Sequence, residues 1–343
     1  MKTKKLLFAI FIGITFFSCT TQKQNLKSST SITPDYLTID QAIANLKNPE
    51  SVAPLNPFPG ITSKLSATFS PPYRAIEPIK IFDNLYFVGT TTVGSYIVDT
   101  GDGLVMIDTG INDQSAIIMV DGMKKLGLDP SRIKLILLSH EHFDHYGGVQ
   151  YLKKNACPDA KVALSLVGWN LLQTVPPEWA YIDPRPQSVD IYLVDGMKIK
   201  VGSEIFQIVA TPGHSPGCVS FIFPVTDNGE KHMVGLMGGS AVWPTQAETQ
   251  LYKTSIEYFK AFTKAAKCDV GLSVHSTERD FTQLRARKPG DPNPMVIGED
   301  KFDTVYLKST ETSMSKCSIQ EKSRLTCRYN IRMARIYNPD GFQ

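Results

Sequence analysis

The chain has 343 residues, 42% of them hydrophobic, and a formal charge of +3. That is enough apolar material for one large domain or two small ones. A charge this small, with no basic block, excludes nucleic acid as the expected partner.

Lys2, Lys4 and Lys5 precede an apolar run from Leu6 to Phe17 that ends at Ser18-Cys19. A charged start and a short greasy segment read as an export signal over residues 1–19, too short for a permanent membrane span. The Ser18-Cys19 ending resembles a bacterial lipoprotein signal, in which the cysteine carries lipid and anchors the chain to the membrane. The Phe pair before it departs from that pattern, and ordinary cleavage nearby is the alternative. Either route takes the mature chain out of the cytoplasm, to the periplasm of a bacterium. Residues 20–70 are rich in Ser, Thr, Pro and Lys, with one helical patch at Ile39–Leu46, and read as a tether and N-terminal extension.

A domain is expected over residues 71–322, with a short tail at 323–343. From Ile79 the texture changes: "IKIFDNLYFVG", "GSYIVDT" and "DGLVMIDTG" are β-rich runs broken by Gly and Asp turns. A helix is predicted over Gln114–Leu126, then a buried strand over Ile133–Leu138. A strand at Lys161–Leu164 and a helix at Val167–Leu172 lead into the loop "VPPEWAYIDPRP". Further strands are predicted at Ile191–Val194, Met197–Val201, Ile205–Ala210, Val219–Phe223 and His232–Leu236. A helix over Leu251–Ala266, a strand over Val270–Val274 and a polar helical tail from Lys301 to Lys322 complete the pattern. Strands followed by helices, twice over, predict an α/β fold of two sheets packed face to face with helices outside.

Half of the six histidines fall in "SHEHFDHYGG", directly after the predicted strand Ile133–Leu138. His140, His142, His145 and Asp144 form an imidazole and carboxylate set suited to zinc. On a regular element they cannot all face one ion, whereas on a loop they can divide between two. Gly147-Gly148 lets the backbone turn tightly into the next helix. Two more histidines repeat the placement just beyond a strand: His214 in "TPGHSPG" and His275 in "LSVHS". The sixth, His232, has no assigned role. Wide cysteine spacing without a CxxC argues against a cysteine zinc cage.

These residues resemble the metallo-β-lactamase superfamily over about Ile79 to Val296. "LVMIDTG", "HEHFDH", "TPGHSPG" and His275 stand where its signatures stand. The resemblance implies an αββα sandwich holding two Zn2+ per chain, with a water or hydroxide bridging them. One ion takes His140, His142 and His214; the other takes Asp144, His145 and His275. Asp144 also orients the nucleophile, and Asp108 supports the ligands by hydrogen bonding. Where glyoxalase-type, lactonase and RNA-processing members place a bridging aspartate, "LMGGSAVW" has Ser240, as the third subclass of class B β-lactamases does. Ser240 is then a candidate for binding substrate, or a small residue for close packing. "KCDVGLSVHS" resembles the same subclass, whose cysteine before this strand bonds the C-terminal helix. That implies a Cys268–Cys317 disulfide, with Cys327 the competing partner.

The activity implied is zinc-dependent opening of the β-lactam ring of penicillins, cephalosporins and carbapenems, a small-molecule substrate. Val242 departs from the subclass, which often has a second serine there. Thr90–Thr92, Trp179 and Tyr181 are candidates for lining the pocket, the two aromatics equally for ordinary packing. The alternatives are a hydrolase of a lactone or another ester in the same site, and a surface lipoprotein with purely structural zinc.

Overall fold

In the computed structural model, alternation along the strands divides the apolar side chains between a central interior and two outer layers. The structure describes residues 35–44, 74–91, 93–173, 185–239, 246–308 and 310. A seven-stranded sheet runs in order from β2 (Ile79–Phe82) through β3 (Leu85–Phe87), β4 (Tyr96–Asp99), β5 (Leu104–Ile107), β6 (Ile133–Leu137) and β7 (Lys161–Ser165) to β8 (Ile191–Leu193). Its first strands are antiparallel, and β5 to β8 are parallel. A six-stranded sheet has the order β1 (Leu37–Thr38), β9 (Lys198–Val201), β10 (Glu204–Ala210), β11 (Val219–Asp227), β12 (Glu230–Met237), β13 (Val270–Ser273). Its β1–β9 and β12–β13 pairs are parallel and the rest antiparallel.

Val105 and Ile107 of β5 and Leu135 and Leu137 of β6 face Phe206, Ile208, Phe221 and Phe223 of the other sheet in one buried cluster. Leu104, Met106 and Ile136 point the opposite way, onto Ala116, Met119 and Met123 of the helix Asp113–Lys125. Ile222 likewise turns outward onto Tyr252, Ile256 and Phe259 of the helix Gln246–Ala266. Period-two alternation between two apolar surroundings is why these strands read as continuous greasy runs. Two mixed sheets flanked by helices form the expected sandwich.

Three elements differ from the sequence reading. The strands predicted at Val219–Phe223 and His232–Leu236 are one long hairpin, turning at Asn228 and Gly229, whose φ values of 51° and 84° mark the tight turn that Asn-Gly favours. Pro224 is tolerated within β11 because β10 pairs only as far as Ile222. Residues 37–44, read as part of an extension, add β1 to the edge of the six-stranded sheet and bury Ala42 in the central cluster. The expected polar tail is amphipathic where it is described. Phe302 and Leu307 are buried, and the Tyr306 hydroxyl donates to the Leu272 carbonyl at 2.5 Å.

β5, β6, β10 and β13 are each followed by a residue of the histidine and aspartate set. Their carboxyl ends therefore build the candidate site, as in open α/β sheets.

Candidate metal centre

Asp108 follows β5 with φ 57°, a left-handed conformation uncommon for a side-chain-bearing residue. Three hydrogen bonds hold its fully buried carboxylate. Ser139 N–H donates to Oδ1 at 2.8 Å, and the Ser139 hydroxyl and His145 Nδ1 each reach Oδ2 at 2.8 Å. An ionised carboxylate only accepts, so His145 keeps a proton on Nδ1 and turns Nε2 the other way. The Ser139 proton is likewise committed to Asp108. Its oxygen, 3.0 Å from His140 Nδ1, accepts that N–H and leaves the His140 Nε2 lone pair facing the centre. Ser139 had no role in the sequence reading, although it directly precedes the first histidine.

His142 caps the short helix Phe143–Tyr146, which sets Asp144 and His145 on its first turns. Gly147 and Gly148 continue from it with φ of −60° and −85°, so they are needed for close approach rather than for an unusual turn. A Cβ at Gly147 would lie 1.9 Å from the Ile111 carbonyl oxygen, and one at Gly148 2.2 Å from that of Thr109. On the other sheet, Ser255 Oγ donates to the Pro212 carbonyl at 2.7 Å and Tyr252 packs against Gly213, steadying the loop that carries His214. Tyr96, buried in β4, bonds the Ser273 carbonyl at 2.8 Å and Ser276 Oγ at 2.7 Å, bracketing His275.

Two triads result. His140 Nε2, His142 Nδ1 and His214 Nε2 lie 3.1 Å from one another. Asp144, His145 and His275 also bring their ligand atoms within 4.8 Å of one another. The triads adjoin, with the His140 and His145 rings 3.9 Å apart. Burial, then the neighbouring imidazoles, hold His140 well below its ordinary range; burial takes His142 down to about 4. His140 and His142 are therefore neutral nitrogen donors at neutral pH. In the second, burial alone would neutralise both partners, but their mutual attraction wins. Asp144 and Asp108 raise His145 to about 10, and His145 and His275 keep Asp144 below the carboxylate range, so a cation taking His145 Nε2 would displace a proton from it.

A divalent cation fits both places. Three nitrogens converging at 3.1 Å lie close to the ~3.3–3.4 Å edge of a tetrahedral ion with ~2.0–2.1 Å bonds. Asp144 Oδ1 and His145 Nε2 are fully buried without a hydrogen-bond partner among the described residues. Such groups are costly to bury unless something charged meets them.

The two groups contain the six residues that the sequence singled out as ligands, and Asp108 touches the second of them. Ser240, Val242, Trp179, Tyr181, Thr92, Cys317 and Cys327 lie outside the described residues. So do residues 1–34, with the expected signal and Cys19, and 311–343. Thr90 is buried and closes a turn with Val93. Cys268 is buried behind β13, and among the described residues there is no disulfide. His232, left without a role, pairs with Asp269 at 2.7 Å near the start of β12.

Residues 88–227 match the model of the metallo-beta-lactamase superfamily. A subclass B3 metallo-beta-lactamase of Bradyrhizobium japonicum superposes with a TM-score of 0.57 at 27% identity, over 77% of this chain and 96% of that one. The FEZ-1 metallo-beta-lactamase of Legionella gormanii gives 0.58 at 25% identity, over 72% and 95%. Among curated relatives, a hydroxyacylglutathione hydrolase of Pseudomonas putida is 26% identical over 199 residues, 52% of this chain and 68% of that protein. One of Francisella tularensis is 30% identical over 117 residues, so the chain spans only 40% of its length. A fold of this kind implies a divalent metal and hydrolytic chemistry. Residues 88–227 thus belong to the metallo-beta-lactamase superfamily, and the chain takes the sandwich form that the subclass B3 enzymes also adopt.

Proposed function

We propose that this chain is a di-zinc hydrolase that opens β-lactam rings. His140, His142 and His214 would hold one ion, and Asp144, His145 and His275 the other. The observation that carries this reading is the second triad, which draws its last ligand from His275. That arrangement needs no bridging carboxylate after β12, and Gly238-Gly239-Ser240-Ala241-Val242-Trp243 contains none. The near-complete overlay on subclass B3 enzymes supports it further.

Zinc bound there supplies Lewis acidity, polarising a carbonyl and making water acidic enough to attack near neutral pH. The chain's own groups do the rest. Asp108 and Ser139 hold the inward lone pairs of His145 and His140 in place. Asp144 Oδ1, buried and without a hydrogen-bond partner among the described residues, would orient the attacking water by accepting its hydrogen bond. Burial of the donor set keeps competing bulk water away and strengthens each of these interactions. Ser240 is assigned to the substrate, as a hydroxyl that meets a water or a carboxylate oxygen. Export to the periplasm, with Cys19 lipidated, belongs to the same reading; mass spectrometry of the mature N-terminus tests it.

A second reading has its own support: curated relatives include hydroxyacylglutathione hydrolases. The assay is hydrolysis of a chromogenic cephalosporin, a carbapenem, a hydroxyacylglutathione and a lactone, with zinc, with chelator and with zinc restored. Turnover of the β-lactams that chelator abolishes and zinc restores is the expected outcome. Metal-dependent turnover of the hydroxyacylglutathione or lactone alone would reassign the substrate and leave the centre in place.

A further inference from the structure

His140 and His142 hang from the seven-stranded sheet and His214 from the six-stranded one, yet their nitrogens meet at 3.1 Å. Two independent loops must be held in register for that. One tie is main-chain: Val219 N–H donates to the Ser139 carbonyl at 2.9 Å. The other is a side chain with no role so far. Glu141 stands between the two histidines, buried, with its carboxyl group turned onto the "HSPG" turn. Oε2 accepts the Ser215 hydroxyl at 3.0 Å, and Oε1 accepts Gly217 N–H at 3.2 Å. Ser215 is the residue after His214, so this contact sits one residue from a ligand.

The surroundings are built around that carboxyl group. Ser165 Oγ, at the end of β7, donates to the Gly217 carbonyl at 2.5 Å, so both polar groups of this residue's backbone are held. A Cβ at Gly217 would lie 2.4 Å from Glu141 Oε2 and 2.5 Å from the Gly168 backbone. One at Gly168 would meet Ser165 Oγ at 2.9 Å and Glu141 Oε2 at 3.2 Å. Two glycines thus make room for one acid. Burying a carboxyl group among neutral donors is costly. An apolar residue would fill the space with less penalty but could not grip the turn.

We propose that Glu141 is the positioning residue of the first triad. It fastens the His214 loop to the loop carrying His140 and His142, so the three nitrogens are assembled before an ion arrives. This rests on the metal-centre reading above and extends it to a residue that touches no ion.

The test isolates the first site by working in the Asp144→Asn background and titrating Co2+ or Zn2+ against a competing chromophoric chelator. Adding Glu141→Ala should weaken that site about 10–100-fold, the usual cost of losing a group that orients a metal ligand. Glu141→Gln should stay within about threefold, because the amide oxygen can accept Gly217 N–H while its N–H donates to Ser215 Oγ. Hydrogen exchange at the Gly217 amide of metal-free protein should quicken in Glu141→Ala and not in Glu141→Gln. A folded Glu141→Ala variant with unchanged affinity and unchanged Gly217 exchange would overturn the proposal. If Glu141→Ala does not fold, Ser215→Ala carries the test: weaker binding supports the tie, and unchanged affinity and exchange refute it. Failure of the parent to bind metal at all would instead sink the metal-centre reading, while the exchange result would still show whether Glu141 holds the loop.

Discussion

Ser139 has one proton to give, and where it goes decides which nitrogen of His140 is a ligand. Asp108 takes it at 2.8 Å, so the serine oxygen receives His140 Nδ1–H and Nε2 stays open. Ser139→Ala should lower affinity at the first site about tenfold or more, since His140 would lose the acceptor that holds its tautomer. Chelator competition reads that directly. Asp144→Asn should remove one of two metal equivalents, counted by elemental analysis, and depress turnover at least about 100-fold. A full complement of metal and activity in that variant would refute the role given to Asp144. The histidines and Asp144 were legible in the sequence because their spacing after a greasy strand is rare for any other purpose. Ser139 and Glu141 were not, because serine and glutamate are common everywhere and only their contacts give them a role.

The hairpin β11–β12 shows how one element serves the site from its far end. Its tip carries Asp227, whose two oxygens receive Arg287 at 2.9 and 2.7 Å, a bidentate pair. Asn293 donates to Asp227 at 3.4 Å and to the Ile81 carbonyl at 2.8 Å, so the tip is tied to the other sheet. The hydrogen bonds from Arg287 hold Asp227 below its usual carboxylate range. A carboxyl group depressed in the folded state adds stability that is present above its unfolded value near ~3.9 and is lost as pH falls through the folded value. Asp227→Asn should therefore cost about 1–2 kcal/mol at neutral pH. The gap in thermal midpoint from wild type should narrow as pH falls below about 4. A gap that is constant with pH would show that the charge of Asp227 is not what matters. The strands of this hairpin were visible as apolar runs, but not their length. Pro224 and the charged Lys231 argue for a break until the pairing on each side of β11 is known.

At the scale of the whole molecule, the two triads stand at the end of a sandwich whose three apolar clusters owe nothing to metal. Removing metal should leave the secondary structure intact, seen by circular dichroism, while lowering the thermal midpoint. An ion at a thousand times its dissociation constant stabilises by about 4 kcal/mol, which is on the order of 10 °C for a domain of this size. Collapse of the circular dichroism on chelation would mean that the metal also holds the fold. By itself, the sequence determined the fold class, the succession of strands and helices, and the ligand types. Hydrophobic periodicity and the strand-then-histidine placement are local and survive in one dimension. Which histidine meets which was implied only by the family resemblance and not by the local spacing, because His214 and His275 come from one sheet and His140, His142 and His145 from the other, and the tertiary structure brings them together. Their convergence depends on how the sheets pack, and on buried ties such as Glu141 and Tyr96 that join residues 74 or more positions apart.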